Sequence, residues 1–202
     1  MKRIEDKIYC GQLQMLRPVL KEWIALIRKS SKEWGRNDCS WWYSERVNLG
    51  VFAGAIWRKG GTCFEEYIDE NIKNKDRYRG RCDLYFKYNN MEFIVEAKQC
   101  WPNAGSKTEK LEEIINKAIE LDSFKKEHAI PENVMKLEMV YVIPRMPKYD
   151  LNKIDLCIRN VIDIINDLPA KAIAYTFPAE KRKLRDEYGD GYIYPGVILL
   201  IK

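Results

Sequence analysis

The feature that most constrains this chain is a hairpin signature over residues 81–99. Two stretches rich in strand-forming residues, 81–87 and 92–99, flank a short polar segment that contains Asn89 and Asn90. Asparagine tolerates the positive φ that a tight hairpin turn requires, so this pair is predicted to form the turn. The register of the two strands follows from that turn. It places Leu84 opposite Val95.

The same register brings charged residues together on one face of the hairpin. Asp83 is predicted to oppose Glu96, and Lys98 follows on the same side. Opposed residues have Cβ atoms about 4.5–5.5 Å apart, where two like charges are destabilising. A divalent cation between the carboxylates would compensate, and oxygen ligands without histidine favour Mg²⁺ or Mn²⁺ over Zn²⁺. The alternative is that Lys98 and Arg81 simply neutralise two surface acids.

A lysine beside such a pair could stabilise negative charge that develops on a phosphate ester, which predicts phosphodiester hydrolysis. The rest of the sequence excludes other chemistries. The one histidine, His128, rules out a histidine-rich metal site and leaves a serine or cysteine triad without its usual base. The six cysteines contain no C-x-x-C spacing and are expected to be reduced, buried thiols.

The chain has 202 residues, of which 46% are hydrophobic, so one domain with a sizeable core is expected. Residues 1–43 are predicted to be an N-terminal helical extension, and residues 44–202 a mixed α/β domain with a central sheet flanked by helices. The predicted helices cover 18–29, 45–59, 107–127 and 151–168, and the predicted strands cover 81–87, 92–99, 137–143, 170–177 and 192–201. Residues 62–68 have strand-like content, but the two adjacent acids break the alternation, and a helix is the alternative.

No apolar run reaches the roughly 18 residues that a membrane span needs, and residues 1–6 are charged where a signal peptide would be apolar. A cytoplasmic protein without membrane contact is therefore expected. Two roles stay open for residues 1–43, a specificity element or an oligomerisation element that would make a homodimer.

The net charge is +5, and basic residues recur at every second position from 73 to 81. A single strand or extended loop would place them on one side, as a track for the phosphates of a nucleic acid. A solvated linker face is the alternative interpretation. The residues concerned are Lys73, Lys75, Arg77, Arg79 and Arg81.

Asp83, twelve intervening residues and Glu96-Ala97-Lys98, on a hairpin between two helices, resemble the PD-(D/E)XK superfamily of restriction-endonuclease-like nucleases over about residues 44–145. The resemblance implies a helix-strand-strand-strand-helix-strand core, which favours a strand over residues 62–68. It also implies metal-dependent cleavage of nucleic acid, with DNA as the expected substrate. In that family the aspartate and glutamate hold the metal, the carbonyl at the Ala97 position can add a ligand, and the lysine assists the water. Cys82 occupies the position at which the family motif has proline, and this proline takes no part in the catalytic chemistry.

Two further positions follow from the resemblance. Gln99, directly after the lysine, is expected to touch substrate. Many relatives carry another glutamate on the first core helix, and Glu45 fits because it shares a helical stripe with core-facing residues. An acid in the first turn also suits the helix dipole, and Glu65 and Glu66 compete for the role. The alternative function is a catalytically inactive nucleic-acid-binding or interaction module with the same fold.

Overall fold

The structure is a computed structural model that describes residues 4–34, 38–73, 76–120, 133–147, 152–179 and 191–202, with the backbone alone at 68–73 and 76–81. This part of the chain forms four α-helices and nine β-strands. The helices are α1 (Arg17–Glu33), α2 (Glu45–Arg58), α3 (Thr108–Glu120) and α4 (Ile154–Asn166). The strands are β1 (Lys7–Cys10), β2 (Thr62–Lys73), β3 (Asp76–Tyr88), β4 (Met91–Cys100), β5 (Val134–Val142), β6 (Met146–Pro147), β7 (Ala172–Thr176), β8 (Tyr192–Ile193) and β9 (Val197–Ile201).

Seven of these strands form one mixed sheet in the order β1-β7-β9-β5-β4-β3-β2. The β4–β5 pair is parallel and the other neighbouring pairs are antiparallel. A parallel pair needs a crossover connection, and α3 lies in that connection. Strands β6 and β8 make a separate two-stranded sheet. The expected mixed α/β class is confirmed.

Helices cover both faces of the sheet. Residues of α1 and α2, such as Trp23 and Phe52, pack with one set of alternate strand residues. Residues of α3 and α4, such as Leu111 and Ile158, pack with the other set. Two hydrophobic clusters therefore sandwich the sheet, as the alternation of side chains along strands requires. None of the described helices is long and apolar enough to cross a membrane.

The predicted β3–β4 hairpin is confirmed. Asn89 and Asn90 have φ values of 50° and 60°, as a two-residue turn with positive φ at both positions demands. The paired residues run from Tyr88 and Met91 to Leu84 and Val95. The described pairing stops there. Asp83 and Glu96 consequently lie just beyond the last pair of the hairpin rather than within it.

The expected strand over 62–68 is confirmed as β2, which continues to Lys73 and pairs with β3 down to Asp76. The chain reverses between these two residues, so the expectation that all five basic residues follow one extended segment is wrong. Lys73 is on β2, whereas the arginines occupy alternate positions of β3 at Arg77, Arg79 and Arg81. Lys75 lies outside the described residues, and binding of phosphates by this set stays a prediction.

Two strands differ from the expected elements. Strand β1 was not predicted, because four residues are too few to display an alternating pattern. It pairs with β7, so the segment 1–43 contributes a strand as well as α1. The predicted strand 192–201 is instead two strands in separate sheets, interrupted by Pro195 and Gly196. A Cβ at Gly196 would lie 2.3 Å from the Thr176 carbonyl oxygen, so only glycine fits there.

The helices start and end close to the predicted positions. Ser44 is the N-cap residue of α2, although its side chain makes no capping hydrogen bond. The predicted end of α3 near Glu127, and with it His128, lies outside the described residues. All six cysteines are free thiols, and all except Cys157 are buried, as expected.

Candidate functional site

The Asp83 carboxylate lies where the backbone departs from regular sheet geometry on both sides of β3. Its Oδ2 atom accepts a hydrogen bond from the Ala97 N–H at 2.7 Å, so a side chain takes the place of a strand partner. In the β2–β3 register, Glu65 pairs with Leu84 and the next pair is Tyr67 with Cys82, so the ladder is interrupted between Glu66 and Asp83. The backbone of Glu66 has a φ of 54°, a value that residues other than glycine rarely adopt.

Glu96 is the most buried acid of the site, with 9% of its surface exposed. Burial raises its pKa to about 8, and the negative charge of Asp83 adds to the effect. The Lys98 ammonium acts in the opposite direction, and the two carboxyl side chains hydrogen-bond each other. The structure thus brings Asp83, Glu96 and Lys98 together, although Asp83 and Glu96 lie just beyond the pairing in which the register had placed them.

Lys98 is half-buried, and its Nζ atom donates a hydrogen bond to the Ala97 carbonyl oxygen at 2.9 Å. Ala97 itself is buried, and its amide and carbonyl groups hydrogen-bond to Asp83 and Lys98 respectively. The carbonyl oxygen that the resemblance assigns as a third metal ligand therefore carries a positive charge beside it.

Glu45 joins the same cluster from the first turn of α2. Burial raises its pKa, the Lys98 charge lowers it, and the Asp83 charge raises it again. Of the three candidate glutamates, Glu45 contributes to the raised pKa of Glu96. Glu66 instead forms an ion pair with Arg46, and Glu65 lies against α2, with Oε1 3.7 Å from the position that a Cβ on Gly50 would take.

Asn48 is a site residue that the sequence did not reveal. It is 1% exposed, and its Nδ2 atom donates to Oε1 of Gln99 at 2.9 Å and to the Trp41 carbonyl oxygen at 3.3 Å. The Nε2 atom of Gln99 in turn donates to the Tyr43 carbonyl oxygen at 2.7 Å. The amide of Gln99 therefore ties β4 to the start of α2, and its contact with nucleic acid stays a prediction. The available signal was its position on α2, three residues after Glu45 and therefore on the same side of the helix.

Tyr141 is a buried residue close enough to Glu45 to be affected by its charge. It lies on β5 beside Gln99, is fully buried, and its hydroxyl has no hydrogen-bond partner among the described residues. Burial raises the pKa of Tyr141 well above its usual value, and the charges of Glu45 and Glu65 add to the effect. Glu45 therefore borders an interior of low dielectric, where charge interactions are strong.

The donor atoms of the site can be compared with the needs of a divalent cation. Across the described residues, no three His, Cys, Asp or Glu side chains form a metal-ligand group. The oxygens that do converge belong to Asp83, Glu96 and the Ala97 carbonyl. Burial is the main cause of the raised pKa of Glu96, and the charges of Asp83 and Glu45 add to it, so a cation at this place would stabilise the ionised carboxylates. This all-oxygen set fits a hard cation such as Mg²⁺ or Mn²⁺.

Comparison with known proteins finds no matching family model, no matching curated protein and no matching solved structure.

Proposed function

We propose that this chain is a metal-dependent nuclease that hydrolyses phosphodiester bonds, with DNA as the expected substrate. The observation that carries the proposal is the convergence of Asp83, Glu96, Lys98 and Glu45, which come from β3, β4 and α2, around a carboxyl group whose pKa is raised to about 8. Strongly perturbed acids beside a charged partner are typical of catalytic sites.

The order of the elements supports a restriction-endonuclease-like core. The chain runs α2, β2, β3, β4, α3, β5, which is the helix-strand-strand-strand-helix-strand order that the resemblance implies. The two acids lie at the fork where β3 and β4 cease to pair.

Each residue has a distinct role in the proposed site. Asp83, Glu96 and the Ala97 carbonyl would hold Mg²⁺ or Mn²⁺, and the bound ion supplies a Lewis acid that stabilises charge on the phosphate. Lys98 presents a positive charge beside the same carbonyl oxygen, where it stabilises negative charge in the transition state. Glu45 would add a further negative charge close to Lys98 and the bound cation.

The test is cleavage of labelled DNA and RNA in the presence of Mg²⁺, Mn²⁺ or EDTA. We expect metal-dependent cleavage by the wild type and a loss of at least roughly a hundredfold in Asp83→Asn, Glu96→Gln and Lys98→Met, because residues that serve one step act as a unit. Glu92→Gln is the matched control. It lies on the same strand, but its carboxylate pairs with Lys87 and accepts a hydrogen bond from Tyr85.

Wild-type rates in Glu96→Gln, or cleavage that persists in EDTA, would contradict the proposal. If no variant or condition shows cleavage while the wild type still binds nucleic acid, the inactive binding module is the better description. Thermal melts of every variant establish that a lost activity is not a lost fold.

A further inference from the structure

Three aromatic side chains lie against one another on β2 and β3, and we call Phe64, Tyr67 and Tyr85 the aromatic platform. The ring centroids of Tyr67 and Tyr85 are 4.9 Å apart with an angle of 26° between the planes. Those of Phe64 and Tyr67 are 6.4 Å apart. Phe64 is nevertheless 58% exposed and Tyr67 37% exposed. Large aromatic rings that remain exposed as a group mark a binding surface more often than a lone exposed ring does.

The platform exists because the alternation of β2 is broken. Phe64 and Tyr67 are three residues apart, so a regular strand would place them on opposite faces. The positive φ of Glu66 interrupts that alternation and lets Tyr67 reach Tyr85. A strained backbone conformation of this kind is typical of functional surfaces.

The platform lies on the face of the sheet that α2 does not cover. The Cys63 thiol lies 3.7 Å from the Ala53 carbonyl oxygen of α2, so its neighbour Phe64 points to the other side. Phe64 and Tyr85 are paired in the β2–β3 register and therefore share that face. Asp83 precedes Tyr85 by two residues, about 6–7 Å along the strand. The platform thus adjoins the acidic site.

The positive charge that favours a polyanion comes from β3. Lys87 is exposed but forms an ion pair with Glu92, and Lys98 lies among the carboxylates of the acidic site. Arginines occupy alternate positions of β3 at Arg77, Arg79 and Arg81. A partner with negative charges at regular spacing and flat apolar groups between them matches this combination, and a nucleic acid has that chemistry.

The exposed rings distinguish between forms of nucleic acid. In a duplex the bases are stacked on each other, whereas a single strand offers base faces that stack on aromatic side chains. We propose that the aromatic platform stacks on unpaired bases, so that the substrate class of the neighbouring acidic site is single-stranded DNA or RNA. The cleavage part of this statement depends on the proposed nuclease function, but the binding part does not.

The test is fluorescence anisotropy in EDTA, where metal-dependent cleavage cannot occur. The probes are a labelled DNA strand of about a dozen nucleotides, the same sequence as RNA, the same sequence as a duplex, and a strand of equal length built of abasic nucleotides. We expect the single strands to bind more tightly than the duplex and the abasic strand. Comparison of the DNA and RNA arms identifies the preferred sugar.

Phe64→Ala and Tyr67→Ala should each weaken single-strand binding about tenfold and leave abasic binding unchanged. The conservative variants Phe64→Tyr and Tyr67→Phe keep a ring and should bind like the wild type, which separates loss of stacking from loss of fold. Trp57→Ala is the matched control. Trp57 is 53% exposed and lies beside the Cys63 thiol on the helix side of β2, so its loss should not change binding.

Equal affinity for the single strand, the duplex and the abasic strand would overturn the inference and leave the nuclease proposal intact, since that is tested by cleavage in Glu96→Gln. Platform-dependent binding by a protein that cleaves nothing would support the inference and contradict the nuclease proposal. If Phe64→Ala instead converts a dimer into a monomer in sedimentation with unchanged strand binding, the platform is a subunit contact and the inference is wrong.

Discussion

The Asn48 side chain donates a hydrogen bond to the Gln99 side chain at 2.9 Å, and through it α2 is joined to β4 directly beside Lys98. Both amides are committed to internal partners, since Gln99 also donates to the Tyr43 carbonyl oxygen. The pair therefore sets how the first turn of α2, which carries Glu45, meets the acids of the hairpin. It acts on the chemistry through other residues, and we regard it as a positioning pair.

Asn48→Ala should lower the free energy of unfolding by about 1–3 kcal/mol, because the Gln99 carbonyl oxygen and the Trp41 carbonyl oxygen lose a donor inside the protein. It should also lower kcat of the proposed nuclease more than it raises the KM, since Glu45 loses its fixed orientation. Urea unfolding and steady-state cleavage measure the two effects. The exposed Asn152→Ala is the control, and an unchanged kcat in Asn48→Ala would show that the pair is only structural.

The stability of the metal-free protein should fall as the pH rises from about 4.5 to about 8. Glu96 has its pKa raised to about 8 in the folded state, so over this window the unfolded chain releases a proton that the folded chain retains. Glu45, whose pKa is raised by burial, acts in the same direction. Urea unfolding in EDTA at a series of pH values should show this slope, and Glu96→Gln should flatten it.

Glu92→Gln provides the contrast for that measurement. Hydrogen bonding from Lys87 and Tyr85 lowers the pKa of Glu92, so its contribution to stability is lost only as the pH falls into the acid range. The slope between about 4.5 and 8 should survive in this variant. A wild-type stability that rises across the window would show that Glu96 is not the buried, repelled acid described above.

Two substitutions of Asp83 should have opposite effects on the metal-free protein. Above about pH 8, where Glu96 is ionised, Asp83→Asn removes the charge that repels Glu96 but keeps an oxygen that can accept the Ala97 N–H, so its melting temperature should rise. Asp83→Ala leaves that N–H without a partner, at a cost of about 1–3 kcal/mol, so its melting temperature should fall. Added Mn²⁺ should stabilise the wild type more than either variant through linkage. Equal shifts in a calorimetric scan would mean that the carboxylates do not share a cation.

The arginines of β3 should determine how steeply binding depends on salt. Neutralising one residue that contacts a phosphate lowers the slope of log K against log salt by about 0.7 for a single strand. Arg77→Gln, Arg79→Gln and Arg81→Gln should each do so, whereas Lys29→Gln, an exposed residue of α1, should not. If the slope of the triple arginine variant equals that of the wild type, these residues are solvated and do not touch the ligand.

The site could be predicted from the sequence where its geometry is local. Asn89 and Asn90 determine the turn, the turn determines the register, and the register brings Asp83 next to Glu96. The resemblance suggested an acid on the first core helix, and the spacing of residues along that helix showed that Glu45 could take this position. In both cases the spacing involved only residues that lie within a few positions of each other in one or two elements.

Other features of the fold and the site depend on long-range contacts or on backbone angles, which the pattern of hydrophobic and polar residues does not contain. The Asn48–Gln99 contact joins residues of different elements, and the pairing of β1 with β7 spans most of the chain. The aromatic platform was missed because a single positive φ at Glu66 reverses the alternation that strand prediction assumes. Once that angle is known, the exposure of Tyr67 beside Phe64 follows.

The place of β9 in the sheet constrains how this chain can fold. It is the last of the seven strands to be synthesised, yet it lies between β7 and β5 and pairs with both. The β3–β4 hairpin and its partner β2 can form from local contacts while the chain is still emerging from the ribosome. Strands β1 and β7 can pair with each other, but they join the rest of the sheet only through β9. The half that carries the acidic site can therefore assemble first, and the opposite edge is recruited only when the final strand closes the gap.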